Sequence, residues 1–298
     1  RGLPLDGGED GRLGLGVDSG ERIVERDQIV RRDPAVTRES RDGIDLAARA
    51  RGLHLLVSSS HGNASEAAVA LRAMQGRVDG MLILSPHVDA EFLHDNLPDA
   101  LPIVLLNSSV KNPHYPVLNV DNYGGAYAMV QHLLGIGHKK IAFITGPESN
   151  FDAQQREQGY RAAIAKLAPK MALDIVAGDF SEESGHAAGR QFLSRKLRPD
   201  AVFAANDMMA VGCLYAFADY GVSVPEDIAL AGFDDIPIAR YVAPSLSTVR
   251  VRIVDLGRSA LERLASVLEK PDEANAAAQT LRCEIVVRKT CGANTSAR

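Results

Sequence analysis

The sequence predicts an α/β protein of two similar lobes, each a parallel sheet flanked by helices. Three observations point there. From about Gly43 onward, short apolar runs alternate with amphipathic helical stretches, the pattern of buried parallel strands covered by helices. Two successive βαβ halves, before and after about residue 135, have similar element spacing. The chain has 298 residues, and at about 150 residues per domain that length accommodates two lobes.

Taken in order, the apolar runs at 53–57, 80–84 and 103–106 read as the first strands, and 117–120 alternates apolar and polar residues. In the second half, 141–145, 174–176, 201–205, 228–232 and 284–287 continue the series. Between them, Asn63 followed by Glu66 forms a capping box that opens a helix through Ala67, Ala70, Leu71 and Met74. The stretch 123–134 carries Ala126, Met129, Val130, Leu133 and Leu134 on one stripe, and Gly135 and Gly137 stop it. A further helix at 254–268 places Leu256, Ala260, Leu261, Leu264 and Leu268 on one side.

The first 42 residues differ. They are rich in Arg, Asp, Glu and Gly, and Leu13-Gly14-Leu15-Gly16-Val17 is their strand-like piece, weakened by its glycines. Apolar periodicity begins abruptly at Gly43, so residues 1–42 are left unplaced and are not expected to be the native start of the domain. They show no basic n-region followed by an apolar h-region, and so do not read as a secretory signal.

Composition excludes several classes. Hydrophobic residues at 46% and charged ones at 24% are ordinary for a globular protein, and no apolar run approaches the roughly 18 residues of a membrane span. Thirty-three Lys and Arg against 38 Asp and Glu leave a net charge of −5, which is no footprint for nucleic acid. Cys213, Cys283 and Cys291 lack the paired spacing of a disulfide framework or a metal site. The usual nucleotide-loop, serine-elbow and zinc-helix motifs are absent. Asp234-Asp235 as paired acids, with His132 or His138 as base, would be the elements of an enzyme. His138, however, follows Gly137 at a helix end, where a histidine meets the helix dipole. No cofactor and no catalytic residue is assigned.

In open α/β sheets ligands bind beyond the carboxyl ends of the strands, so the strand ends are where to look for a site. Ser58-Ser59-Ser60, Ser85, Asn107-Ser108 and Asp121-Asn122 follow the strands of the first half. In the second half come Asn150 and Asp152, with Arg156 further on, then Phe180, Asn206-Asp207 and Asp234-Asp235. Carboxylates, amides, one arginine and one aromatic suit a polyhydroxylated ligand, because each hydroxyl both donates and accepts. Asp and Asn after a strand are equally ordinary helix N-caps. Asp121, Asn206 and Asp234 each precede a helical stretch and are open to either role, and Phe180 is open to being a core residue.

These residues also carry a resemblance. Val120-Asp121-Asn122-Tyr123-Gly124-Gly125-Ala126, Gly137-His138, Gly146-Pro147, Gly159-Tyr160, Gly178-Asp179-Phe180 and Glu183-Ser184-Gly185 resemble the LacI/GalR family of bacterial transcription regulators. So do Arg198-Pro199-Asp200-Ala201, Ala205-Asn206-Asp207, Val224-Pro225-Glu226-Asp227, Gly232-Phe233-Asp234-Asp235 and Pro244-Ser245-Leu246-Ser247-Thr248-Val249. The resemblance implies a periplasmic-binding-protein-like effector-sensing domain with three crossovers, near residues 134, 251 and 279. Its lobes would be 43–134 plus 251–278 and 135–250 plus 279–292, with 293–298 as a tail. By position, Asp121, Asn150, Asp152, Arg156, Phe180, Asn206 and Asp234 match effector contacts, and Ile253 falls near another cleft-lining position. The implied partners are a sugar or nucleoside-like effector, a second copy in a homodimer, and operator DNA. The DNA reader would be a helix-turn-helix head that this chain lacks. A cytoplasmic repressor is the expectation and a secreted solute-binding protein the alternative.

Overall fold

A computed structural model describes residues 22–27, 34–59, 64–84, 90–96, 101–109, 115–269 and 278–293. The first part of the chain runs β1 (Arg22–Asp27), α1 (Pro34–Ala50), β2 (His54–Ser59), α2 (Ala64–Met74), β3 (Gly80–Leu84), α3 (Ala90–Asn96), β4 (Ile103–Leu106) and β5 (Val117–Val120). It continues with α4 (Asn122–Gly135), β6 (Ile141–Ile144), α5 (Phe151–Leu167), β7 (Asp174–Val176), α6 (Glu182–Leu193), β8 (Ala201–Ala204) and α7 (Asp207–Asp219). It closes with β9 (Ala229–Asp234), α8 (Ile238–Tyr241), β10 (Ser247–Arg250), α9 (Ile253–Glu269), β11 (Gln279–Leu281) and β12 (Glu284–Val286).

The described strands form two six-stranded sheets, ordered β2-β1-β3-β4-β5-β11 and β7-β6-β8-β9-β10-β12. The two orders are the same, with the β12–β10 pair antiparallel and the other pairs parallel. The strands read in the sequence are the buried ones, for example β3, β4, β6 and β8, in which every residue is buried. Strands covered on both faces are written as continuous apolar runs.

Three expectations change. Residues 22–27 and 34–42 belong to the domain: β1 sits between β2 and β3, with Val24 opposite both Leu56 and Met81. α1 begins at Pro34, nine residues before Gly43. The sequence does not signal this strand, because RIVERD has only two apolar residues, unlike a typical central parallel strand. The Leu13–Val17 piece lies outside the described residues, as do Ser60, Asn63 and Ser85. The expected crossing near 134 moves to about Asp121, because α4 packs against α5, β10 and β12 of the second sheet. The crossing near 279 moves past β11, which pairs with β5 in the first sheet.

The second lobe is centred on Phe143, whose ring stacks on Tyr160 at 5.0 Å and meets Phe203 at 5.2 Å, all three fully buried. Burial pushes the Tyr160 phenol up to about 12, and its hydroxyl donates to the Ile141 carbonyl at 2.8 Å, so the buried polar atom is satisfied. On the other face α6 and α7 cross with almost no side chain between them. A Cβ on Gly185 would strike the Met209 backbone, and one on Gly212 the Glu182 carbonyl. This close crossing holds α7, and the strand ends around it, flush against the sheet. No described helix is long and apolar enough to cross a membrane.

Candidate functional site

The sheet order puts the reversal of strand order in the second lobe between the parallel strands β6 and β8, the place where loops diverge and leave a crevice. The residues that follow those strands supply the site. Asn150 caps α5, its side chain accepting from the Ala153 amide at 3.0 Å. Two and six residues further on, and one turn from each other, Asp152 and Arg156 share the buried side of the helix. Asn206, after β8, caps α7 by accepting from Met209 N at 2.9 Å, and its amide donates to the Phe180 carbonyl at 3.0 Å. Asp121 caps α4 by accepting from Gly124 N at 2.8 Å. For these three the capping role is therefore real, and it points each residue at the same end of the sheets.

Asp234 differs. α8 starts after Pro237 with no side-chain cap, and Asp234 instead pairs with Arg156, NH2 to Oδ1 at 2.8 Å. The two acids of Asp234-Asp235 turn to different partners. Asp235 accepts from Arg250 Nε at 2.6 Å and from Arg288, so they do not form a carboxylate pair for acid–base work. The histidines are also engaged elsewhere: His138 Nε2 lies 2.9 Å from the Cys291 carbonyl and His132 Nε2 lies 3.7 Å from the Cys291 sulfur.

Arg156 is the hub. Nε donates to Asn122 Oδ1 at 2.8 Å, NH1 to the Ala205 carbonyl at 2.6 Å and NH2 to Asp234, and the guanidinium carbon sits 3.8 Å from the centroid of the Phe233 ring. Asn122 Nδ2 in turn donates to Asp152 Oδ1 at 3.0 Å, and the other Asp152 oxygen accepts from Asn107 Nδ2 at 3.3 Å. Asn107 follows β4, so the network spans both sheets. Cys283 stands beside it. Burial is the main reason its thiol is pushed up to about 12; Arg156 opposes that shift, and Asp121, Asp234 and Asp152 reinforce it.

Phe180 is nearly buried, its ring closed over Gly146 and close to Ala153, so it also belongs to the core. Ile253 opens α9 and is buried. Among the described residues the non-glycine positions with positive φ are Asn107 (46°), Phe180 (71°), Asp234 (106°) and Asp235 (57°). Each follows or ends a strand on the site's side, and such backbone strain of about 1–3 kcal/mol collects where a site needs a particular side-chain direction. All seven expected residues thus lie in one connected region. Asn107 and Asn122, noted only as strand-end residues, prove to be network members. The sequence does not single out Phe233 or Cys283 as site residues, because their place beside Arg156 depends on how β9 and the segment between β11 and β12 pack against α5. Among the described residues no group of three or more His, Cys, Asp or Glu is placed to hold a metal ion.

Two like sheets whose polar strand ends converge on one buried arginine define a periplasmic-binding-protein-like module. Residues 130–291 match the family profile described as a periplasmic binding protein-like domain. The ribose operon repressor of Escherichia coli (strain K12) is 33% identical over 233 residues, covering 77% of this chain and 70% of the repressor. The chain belongs to the LacI/GalR family of transcriptional regulators, of which the described residues form the effector domain. Among solved structures, the Lac repressor dimer bound to operator and an anti-inducer superposes with a TM-score of 0.81 at 24% identity, covering 93% of this chain and 96% of that one. A LacI family regulator from Enterococcus faecium with bound ribose superposes with a TM-score of 0.80 at 21% identity, covering 91% and 98%. At these identities the two structures speak for the fold.

Proposed function

We propose that this domain binds a small polyhydroxylated metabolite, most simply a sugar, between its two sheets, and that closure of the lobes on it alters operator binding. The observation that carries this reading is the Arg156–Asp234 pair, held at 2.8 Å at the strand ends and tied through Asn122 and Asp152 to Asn107 of the first sheet. A guanidinium has five N–H donors. Among the described residues three are engaged, leaving one on NH1 and one on NH2, while Asp234 bonds Arg156 through Oδ1 alone. A hydroxyl that accepts from Arg156 and donates to Asp234 Oδ2 completes both. Asp121, Asn150, Asp152 and Asn206 edge the same region, and Phe180 is its apolar wall.

Because the network already joins the lobes, a ligand bound there has differential contacts with the open and closed arrangements, which is what shifts their populations. In this reading operator DNA is bound through a helix-turn-helix head, the working unit is a homodimer, and the setting is the cytoplasm. Catalysis forms no part of this function. Ribose, other free sugars and nucleosides are the probes, screened by thermal shift and followed by calorimetry, since a bound ligand raises stability by mass action. Asp234→Asn keeps the shape but weakens the acceptor, and affinity for the identified sugar should fall about 100-fold or more, in line with sites built to bond a hydroxyl. Unchanged affinity in that variant, or no response to any of these compounds, would overturn the proposal.

A further inference from the structure

On the loop that carries Asp235 into α8, the cationic groups outnumber the anionic ones. Asp235 is the carboxylate there, and its side chain is 1% exposed. Its Oδ2 accepts from Arg250 Nε at 2.6 Å and its Oδ1 from Arg288. Arg288 is further engaged by the Leu246 carbonyl at 2.7 Å. A third guanidinium, Arg240, reaches only to 3.8 Å from Asp235 Oδ2 and is 59% exposed. That distance is an ion pair without a hydrogen bond, to a carboxylate already bonded through both oxygens. Three arginines against one aspartate leave two positive charges at this spot, in a chain whose net charge is −5.

The excess charge has room beside it. A cavity of about 230 Å³ is lined by Asp235, Pro237, Arg240, Tyr241, Arg250 and Val251. Arg250 is 36% exposed, and Tyr241 is 80% exposed. Guanidinium forks match the oxygens of phosphate and carboxylate groups, and the Tyr241 phenol is a further donor. We propose that this cavity is a second binding site, for a small phosphate-bearing anion held by Arg240 and Arg250. It is next to the strand end that carries Asp234, since Arg250 pairs in register with Asp234. It does not depend on the nature of the effector.

The test uses the whole chain with inorganic phosphate and ribose 5-phosphate as probes, each against sodium chloride at equal ionic strength. Both phosphates should raise the melting temperature beyond chloride and bind measurably by calorimetry. Arg240→Gln should weaken that binding about tenfold or more, the worth of a charged hydrogen bond, and Arg240→Glu should abolish it, while Arg240→Lys retains part. Ribose 5-phosphate binding more tightly than inorganic phosphate identifies a phosphorylated metabolite as the occupant, and equal binding identifies the free ion; either supports the site. A phosphate response no greater than that of chloride, or one unchanged in Arg240→Gln, would overturn it. So would a loss of response in Arg240→Gln that size-exclusion chromatography traces to a changed oligomeric state, because the arginine would then serve a protein contact.

Discussion

Replacing Arg156 with alanine tests whether the network at the strand ends holds the domain together as well as facing the cleft. The guanidinium is 7% exposed and its partner Asp234 10%, so the pair is shielded from water on both sides. The substitution deletes three hydrogen bonds of 2.6–2.8 Å and the contact with the Phe233 ring. It also leaves the Asp234 carboxylate without its cation. Removing one partner of a buried ion pair costs about 3–5 kcal/mol, mostly because the remaining charge is stranded. With roughly 2–4 °C lost per kcal/mol in a domain of this size, the melting temperature should fall by about 10 °C. The chain has no tryptophan, so urea unfolding is followed by far-ultraviolet circular dichroism. If the stranded carboxylate is the main cost, the double variant Arg156→Ala with Asp234→Ala should be more stable than the two single losses predict. Contacting pairs give coupling energies of about 0.5–3 kcal/mol. A loss below about 1 kcal/mol in Arg156→Ala, on the scale of a single neutral hydrogen bond, or strict additivity in the double variant, would refute the reasoning.

Asp207 makes a second prediction. Burial, with the charge of Asp234 as the next contribution, holds its carboxyl well above the ordinary carboxylate range, although Thr248 and the Ile236 amide both donate to it. A group whose folded pKa is raised binds its proton more tightly when folded. Its contribution is therefore complete below about pH 4 and declines as pH rises towards the folded value, by at most about 1.4 kcal/mol per unit. The stability of the native protein relative to Asp207→Asn should shrink between pH 4.5 and 7.5 in urea titrations, and a constant difference would count against a buried neutral acid. Third, Gly212→Ala sets a methyl group against the Glu182 carbonyl across the α6–α7 crossing. Overpacking against backbone costs about 1–3 kcal/mol, and a denaturation midpoint equal to that of the unmodified protein would show that the helices separate freely.

Much of the sheet scaffold was legible because buried parallel strands advertise themselves. β3, β4, β5 and β7 have the limits that their apolar runs indicated. β1 stayed hidden because its hexamer is two-thirds charged, and its pairing with β2 and β3 depends on residues some 30 to 60 positions away. The lobe to which α4 belongs is not readable from sequence for a related reason: an apolar stripe says that a helix is covered, not by what. The face through Gly125 meets Phe233, Val249 and Cys283 of the second lobe.

At the site, residue type and position at strand ends were enough to nominate Asp121, Asn150, Asp152, Arg156, Phe180, Asn206 and Asp234. The choice between cap and contact was not available, since an Asp or Asn before a helix looks the same in either role. Tertiary structure assigned caps to Asp121, Asn150 and Asn206 and gave Asp234 to Arg156. It also separated Asp234 from its neighbour Asp235, which adjacent letters made look like one acidic pair. The sequence by itself determined a two-lobed α/β domain with polar strand ends, because hydrophobic period and strand-end chemistry are local properties. Only the tertiary structure decided which of those ends share one arginine. That partnership depends on strand order and on which helix covers which face, and neither is written within any short stretch of chain.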